Sequence, residues 1–328
     1  MNSEFPIDAV VLWVDGDDPA HIAKRVKYMH NGREAQHNDV AGTVRYRQTG
    51  EINFCIASIL RFAPFVRKIH IVTDNQNPHL EQLIALNFPD NKIPVEIVDH
   101  KVIFRGYEQY LPTFNAYAIE SMLWRIPDLA EHFIYFNDDV MLVSPARRSD
   151  FFTDEGWPVA YAYRHKSFTA RLLRAIRPRR GGHRKLVWRD SMLNSADILG
   201  LHGFLRIKHT THQLCRSFFE RYYAAHPDTL LRNISHRFRV PENFNAQTLF
   251  YMAKEQMGEC RVESPLNKYI YIKSKLPADE ELKQYDDNRV LFCCINSMCD
   301  GSQEDMEQIV TWLSKRLDIR LPHSCKDE

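Results

Sequence analysis

No run of apolar residues in this sequence is long enough to cross a bilayer. The apolar stretches are short, Ala9 to Val14 being a typical one, whereas a spanning helix needs roughly 18 or more such residues. No transmembrane segment is therefore expected. The first 30 residues carry Asp8, Asp15, Asp17 and Asp18 where a secretory signal would place basic and then apolar residues, so the start reads as that of a cytoplasmic protein. Neither GxGxxG after a strand-like run nor a GxxxxGKS or GxxxxGKT loop occurs, which excludes the familiar dinucleotide and P-loop sites. Cysteines are few and odd in number, at 55, 215, 260, 293, 294, 299 and 325, with no CxxC pair and no zinc-ligand spacing. They read as packed thiols without assigned chemistry. Acid is missing from one stretch altogether. From Arg164 to Arg189 there are ten Lys or Arg and no Asp or Glu, while the remainder carries 33 basic against 42 acidic residues. Such a segment repels itself and attracts anions. With Pro178 and Gly181-Gly182 inside it, it reads as a mobile loop or as a short helix followed by a loop.

What is present is ordinary globular material: 328 residues, 44% hydrophobic and 26% charged, enough for one large domain or two modest ones. Ala9 to Val14 is continuously apolar and β-branched and stops at Asp15-Gly16-Asp17-Asp18-Pro19, which predicts a buried strand entering a turn. Glu51 to Phe62 spaces Ile52, Cys55, Ile56, Ile59 and Leu60 as a helix does, and Lys68 to Thr73 reads as the next strand. Val95 to Val98 is a third strand, Asn115 to Trp124 a helix, and Phe133 to Phe136 a fourth strand ending at Asn137-Asp138-Asp139. This alternation predicts an α/β, Rossmann-like fold with a mainly parallel sheet. The C-terminal half reads as more helical, through Thr211 to Tyr223, Asn245 to Lys254, and a core-facing helix opened by the Ser302/Asp305 capping box.

Ligands of open α/β sheets bind outside the carboxyl ends of the strands, so the acidic turns after the first and fourth strands are expected to share one cleft. An Asp pair there either caps the following segment or holds a divalent cation against a diphosphate, and composition leaves both open. His209 and His212, three apart, would share one face of a helix and can serve as acid or base or simply pack. Arg237 and Arg239 are candidates for gripping phosphate.

Taken in order, several motifs resemble the Stealth family. Trp13-Val-Asp-Gly-Asp-Asp-Pro19 is similar to its first region. Arg45-Tyr-Arg-Gln-Thr-Gly-Glu51, Ala63-Pro-Phe-Val-Arg-Lys-Ile69, Leu111-Pro-Thr-Phe114 with Ala118-Ile-Glu120, and Phe133-Ile-Tyr-Phe-Asn-Asp-Asp-Val-Met141 continue the pattern. Gly203-Phe204, His209 with His212, and Arg239 to Asn245 resemble a third region, and Phe292-Cys-Cys-Ile-Asn296 a fourth, although Ser297 stands where Asp is usual. The resemblance implies a glycosyltransferase-A-like nucleotide-sugar domain that moves a sugar-1-phosphate, commonly N-acetylglucosamine-1-phosphate, from a UDP-sugar to a hydroxyl of a growing capsular or exopolysaccharide or a glycolipid, releasing UMP. It implies catalytic roles for Asp138, Asp139, His209, His212 and Arg239. Substrate binding falls to Trp13, Val14, Asp15, Gly16, Arg45, Glu51, Asn115, Asn137, Glu242 and Asn296, and Mg²⁺ or Mn²⁺ to Asp138 and Asp139. One catalytic domain over 1–328 is expected, with a nucleotide-sugar part at 1–160, the basic mobile segment at 164–189, and a helical part at 190–328 completing the site. No nucleic acid partner is expected, and peripheral association with the inner face of the membrane or with capsule-assembly proteins stays open. Two rival readings stay open too: a conventional glycosyltransferase that releases UDP, and a non-catalytic polyanion-binding protein.

Overall fold

The computed structural model describes residues 5–29, 50–176, 179–180, 183–184, 187–273, 275–276, 289–296, 298 and 301–322. Strand Ile7–Leu12 (β1) leads through helices Pro19–Met29 (α1) and Glu51–Phe62 (α2) to strand Val66–Thr73 (β2). Helix Glu81–Asn87 (α3), strand Val95–Asp99 (β3) and the short helices His100–Ile103 (α4) and Ala116–Glu120 (α5) come next. Strands His132–Asn137 (β4), Val140–Leu142 (β5) and Val159–Lys166 (β6) precede helix Ser167–Ile176 (α6), the two-residue strands Arg179–Arg180 (β7) and His183–Arg184 (β8), and helix Trp188–Ile198 (α7). Strands Gly203–Ile207 (β9) and His212–Cys215 (β10) are followed by helices Arg216–Ala225 (α8), Pro227–Ile234 (α9) and Ala246–Gln256 (α10). Strands Arg261–Glu263 (β11), Tyr269–Lys273 (β12) and Phe292–Asn296 (β13) and helix Gln303–Leu317 (α11) complete the described elements. The architecture is α/β, and the second half contributes strands as well as helices.

The main sheet has the order β10-β4-β1-β2-β3. β1, β2, β3 and β4 are mutually parallel and β10 runs antiparallel along β4. Because β1 and β4 are covered on both faces, their apolar runs are nearly unbroken, as buried parallel strands require. After β3 the chain crosses to the other side of β1 to form β4, which makes the β1/β4 boundary a topological switch point. The register pairs Leu12 with Asn137, so the turns at Trp13 to Asp18 and at Asp138-Asp139 leave the sheet side by side, as expected. Two three-stranded sheets, β11-β6-β9 and β12-β13-β5, extend the molecule on this side. The second of them is tied to the acidic turn where the Ile295 amide donates to the Asp139 carbonyl at 2.9 Å.

The opposite, amino end of the sheet is pinned by Asp8. Arg67 donates to both of its carboxylate oxygens at 2.8 Å, and the Ala130 amide to one of them at 2.8 Å. Ser302 and Asp305 form the expected capping box of α11, whose Ile309, Leu313 and Leu317 are buried.

Two helices differ from expectation. The helix expected over Asn115 to Trp124 closes after Glu120. Asn115 caps it by accepting from the Tyr117 amide, and the Ser121 hydroxyl turns back to the Tyr117 carbonyl at 2.8 Å. The helix expected from Thr211 begins only at Arg216, because His212 to Cys215 pair with β4 as an edge strand with all four residues buried. Tertiary pairing has overridden the local pattern there. The basic stretch begins in β6 and continues as the expected short helix, α6, but where a loop was expected after it Arg179–Arg180 and His183–Arg184 pair as antiparallel strands. Among the described residues no helix is long and apolar enough to cross a membrane.

Candidate active site

β4 delivers Asn137-Asp138-Asp139 to the switch point, and the loop between β9 and β10 brings His209 onto the same spot. His209 Nε2 lies 3.0 and 3.1 Å from the two carboxylate oxygens of Asp139. A carboxylate only accepts, so the Nε2 hydrogen is directed at Asp139 and the imidazole lone pair sits on Nδ1. Burial pushes His209 down, but the charges of Asp139 and Glu120 and the hydrogen bond to Asp139 outweigh it and hold the imidazole above its ordinary value. Cys294, from β13, completes a compact group, its thiol 3.6 Å from Asp139 Oδ2. Burial first, and then the neighbouring Asp139, raise that thiol well above its ordinary value, so it stays protonated and donates.

His212 is placed differently. As the first residue of β10 it is buried, with its ring near those of Tyr135 and Tyr251. Burial and the neighbouring His209 push it down to about 3, so it is neutral and a poor base. The two histidines share one wall but not a helix face.

Around this pair lies a cavity of about 510 Å³. Its floor is Tyr135, Asn137, His209 and His212, and Tyr135 ties Asn137 (2.7 Å) to Glu120 (3.2 Å). Arg206, Lys208 and Arg239 supply positive charge, against Glu120 as the lining carboxylate. Glu120 is held above the ordinary carboxylate range by burial, which Arg239 partly opposes. One Glu120 oxygen is buried without a hydrogen-bond partner. Tyr117, Trp188, Tyr269 and Tyr271 supply aromatic faces, and Asn245, Gln247 and Asn296 supply amides. Arg239 sits over the Tyr117 ring, 5.1 Å from its centroid.

Of the residues proposed from sequence, His209, His212, Arg239, Asn137 and Asn296 line this cavity, and Asp139 touches it through His209. Trp13, Val14, Asp15 and Gly16 form the neighbouring turn. Gln76 clamps that turn through the Asp15 amide and carbonyl and the Asp18 carboxylate, each at 2.9 Å, while Asp18 also caps α1 through the Ala20 amide. Glu51 opens α2 behind Gly50, whose φ of 86° suits glycine, and is buried. Arg45 lies outside the described residues. Asn115 is buried in an amide network with Asn243 and the His236 carbonyl and is not among the residues that line the cavity, and the Glu242 side chain is exposed. Glu120, Tyr135, Trp188, Arg206, Lys208, Gln247, Tyr269, Tyr271 and Cys294 were not singled out as site residues in the sequence. They reach the site from eight different elements or loops, and only Glu120, Tyr135 and Cys294 carried a signal, their places in the Ala118-Ile-Glu120, Phe133 to Met141 and Phe292 to Asn296 motifs.

A divalent cation would need hard oxygen donors. Asp138 and the adjacent Asn137, at the end of β4, carry such donors, and Mg²⁺ is ordinarily content with one or two carboxylates plus substrate phosphates. The Asp139-His209-Cys294 group is a softer, mixed set whose thiol is protonated. The residues thus fit a hard cation held by Asp138 and phosphate better than one enclosed by that group.

Residues 5–33 match conserved region 1 of the Stealth proteins and residues 45–160 match conserved region 2. The capsular polysaccharide phosphotransferase fcs1 of Haemophilus influenzae is 34% identical over 76% of this chain and 65% of its own length. LcbA of Aeromonas hydrophila, another capsular polysaccharide phosphotransferase, is 32% identical over 76% of this chain and 66% of its length. The chain thus spans just under two thirds of these relatives. The receptor polysaccharide phosphotransferase WefC of Streptococcus gordonii is 29% identical over 96% of this chain and 97% of its own. Among solved structures, the galactosyltransferase LgtC with donor and acceptor sugar analogues overlays with a TM-score of 0.47 at 9% identity, covering 96% of this chain and 98% of that one. Both conserved regions of the Stealth proteins thus match in order on the very residues that build β1, α2 and β4, and the similarity to polysaccharide phosphotransferases extends over most of the chain.

Proposed function

We propose that this protein is a phosphotransferase that moves a hexose-1-phosphate, N-acetylglucosamine-1-phosphate in the first instance, from a UDP-sugar to a hydroxyl of a capsular polysaccharide, exopolysaccharide or glycolipid acceptor. The acceptor oxygen forms a bond to the phosphorus that bears the sugar, the bond from that phosphorus to the bridging oxygen breaks, and UMP leaves. The product is a phosphodiester. The observation that carries this reading is the Asp139-His209 pair at the β1/β4 switch point, facing a cavity lined by Arg206, Lys208 and Arg239. The names of the relatives, all polysaccharide phosphotransferases, support it.

Phosphoryl transfer asks a protein mainly for positioning and charge neutralisation. Asp139 fixes the His209 ring and its tautomer, so that Nδ1 can take the proton of the attacking hydroxyl. Arg239, Arg206 and Lys208 meet the negative charge of the diphosphate and of the transferring group. The aromatic faces of Trp188, Tyr269 and Tyr271 suit the apolar faces of sugar rings, and the Trp13 to Gly16 turn, made rigid by Gln76, forms the nucleotide end. Mg²⁺ or Mn²⁺, held by Asp138 with Asp139 beside it and by donor phosphates, would supply further neutralisation.

The test uses a UDP-sugar labelled in the phosphate next to the sugar, with Mg²⁺ and a capsule-derived acceptor. Label should enter the polymer as UMP appears, for at least one of several UDP-sugars screened. Release of UDP with the label retained in it would make the protein a conventional glycosyltransferase, and binding of polymer without turnover would make it a polyanion-binding protein.

A further inference from the structure

α6 is amphipathic in the wrong sense for a helix packed on a globular body. Its inward side is Ser167, Ala170, Arg171 and Arg174. The two arginines pair with Asp197 of α7 at 2.6 and 2.9 Å, and Arg174 also donates to Asn194 at 2.8 Å. Its outward side is apolar, with Phe168 76%, Leu172 53%, Leu173 49% and Ile176 67% exposed. Phe168, Leu172 and Ile176 recur every four residues, so they form one stripe, about 12 Å long at the helical rise. Water gains nothing from such a stripe, and contiguous exposed apolar faces usually mark a docking surface.

The charge around the stripe says what covers it. Exposed Lys166 precedes it, and Arg177, Arg179, Arg180, Arg184 and Lys185 follow in sequence, with no acid between Arg164 and Arg189. The rest of the chain is net acidic, with 33 basic against 42 acidic residues. An apolar stripe flanked in sequence by Lys and Arg matches an anionic lipid surface, where rings and aliphatic chains enter the headgroup boundary and cations meet lipid phosphates. An acidic polysaccharide would use the cations but leave Phe168, Leu172 and Ile176 in water. We propose that the outward face of α6 is a peripheral docking surface for an anionic membrane. This goes beyond the proposed reaction and does not depend on it.

The test is co-sedimentation of the full chain with phosphatidylcholine vesicles made with and without phosphatidylglycerol. Binding is expected to the anionic vesicles, to weaken with added salt, and to be slight on neutral ones. The triple variant Phe168→Gln, Leu172→Gln, Ile176→Gln keeps helix-compatible residues and should bind anionic vesicles at least about tenfold more weakly, with an unchanged urea midpoint. Phe168→Trp supplies a second reading: its emission should be that of an exposed indole in buffer and shift to the blue on anionic vesicles. Equal binding to neutral and anionic lipid, no binding to either, or unaltered binding by the triple variant overturns the proposal. So does a Phe168→Trp emission already blue-shifted in buffer, which would mean that another part of this chain or a second copy covers the stripe.

Discussion

Asp139 and His209 contact each other through both carboxylate oxygens. Residues that act as a unit lose function together rather than additively. Asp139→Asn and His209→Ala are each expected to lower turnover by about 100-fold or more, and the double variant should be little worse than either single one. Losses that multiply would mean that the two side chains act separately. His212→Ala, in contrast, removes a ring packed near Tyr135 and Tyr251 and should show chiefly as lost stability, on the order of 1–3 kcal/mol in urea denaturation. Cys294→Ser keeps a small donor near Asp139 and should cost less than about threefold in turnover. The cation is testable at this scale too. Chelation should abolish turnover, with Mg²⁺ or Mn²⁺ restoring it and Zn²⁺ failing to; restoration by Zn²⁺ alone would shift the metal to the mixed Asp139-His209-Cys294 set.

At the scale of elements, the two ends of the main sheet do different work. The carboxyl ends of β1 and β4 carry the site, and the amino ends are held by Asp8, which β1 presents to Arg67 and His70 of β2 and to the Ala130 amide. Burial alone would raise the Asp8 carboxyl, but the hydrogen bonds from Arg67, His70 and Ala130 outweigh it and hold it at about 2, below the ordinary 3.8. A depressed carboxyl stabilises the fold above its unfolded value and loses that contribution as pH falls. The urea midpoint should therefore drop between about pH 4 and pH 2 in the native protein and drop less in Asp8→Asn. At neutral pH Asp8→Asn should cost roughly 2 kcal/mol, below the range for a fully buried pair because Arg67 is partly solvated. A midpoint that falls equally in both proteins would exclude Asp8 as the source. The strands that could be read from sequence were those of this sheet, since β1, β2, β3 and β4 are short β-branched runs with polar ends and need no partner to be recognised. β10 could not be read that way. His212 to Cys215 alternate with nothing, and only pairing with β4 makes them a strand. The site divides along the same line. Asn137 to Asp139 stand at the end of a legible strand, whereas Lys208, Trp188, Tyr269 and Tyr271 meet only after three sheets have been assembled.

For the whole molecule, charge separates into regions. The body outside the Arg164 to Arg189 stretch is acidic, yet the cavity is lined by Arg206, Lys208 and Arg239. Arginines of the basic stretch that could have guided an anionic substrate are partly spent: Arg164 pairs with Glu255 at 2.6 Å, and Arg171 and Arg174 pair with Asp197. A nucleotide-sugar diphosphate approaching an acidic surface is repelled except where the cavity's own cations focus the field, and such focusing weakens once the Debye length, about 8 Å at physiological salt, falls below the approach distance. The donor KM should therefore rise with ionic strength in the native protein. Replacing both Arg206 and Lys208 by Gln should raise the donor KM by about tenfold at low salt and flatten that rise, leaving turnover at saturation less affected because Arg239 and His209 stay in place. Arg171→Gln with Arg174→Gln should do the reverse, loosening α6 from α7 and lowering the urea midpoint while leaving the donor KM and its salt slope unchanged. If the Arg171/Arg174 variant instead flattens the salt dependence and the Arg206/Lys208 variant does not, the field that gathers the donor comes from the basic stretch and not from the cavity wall.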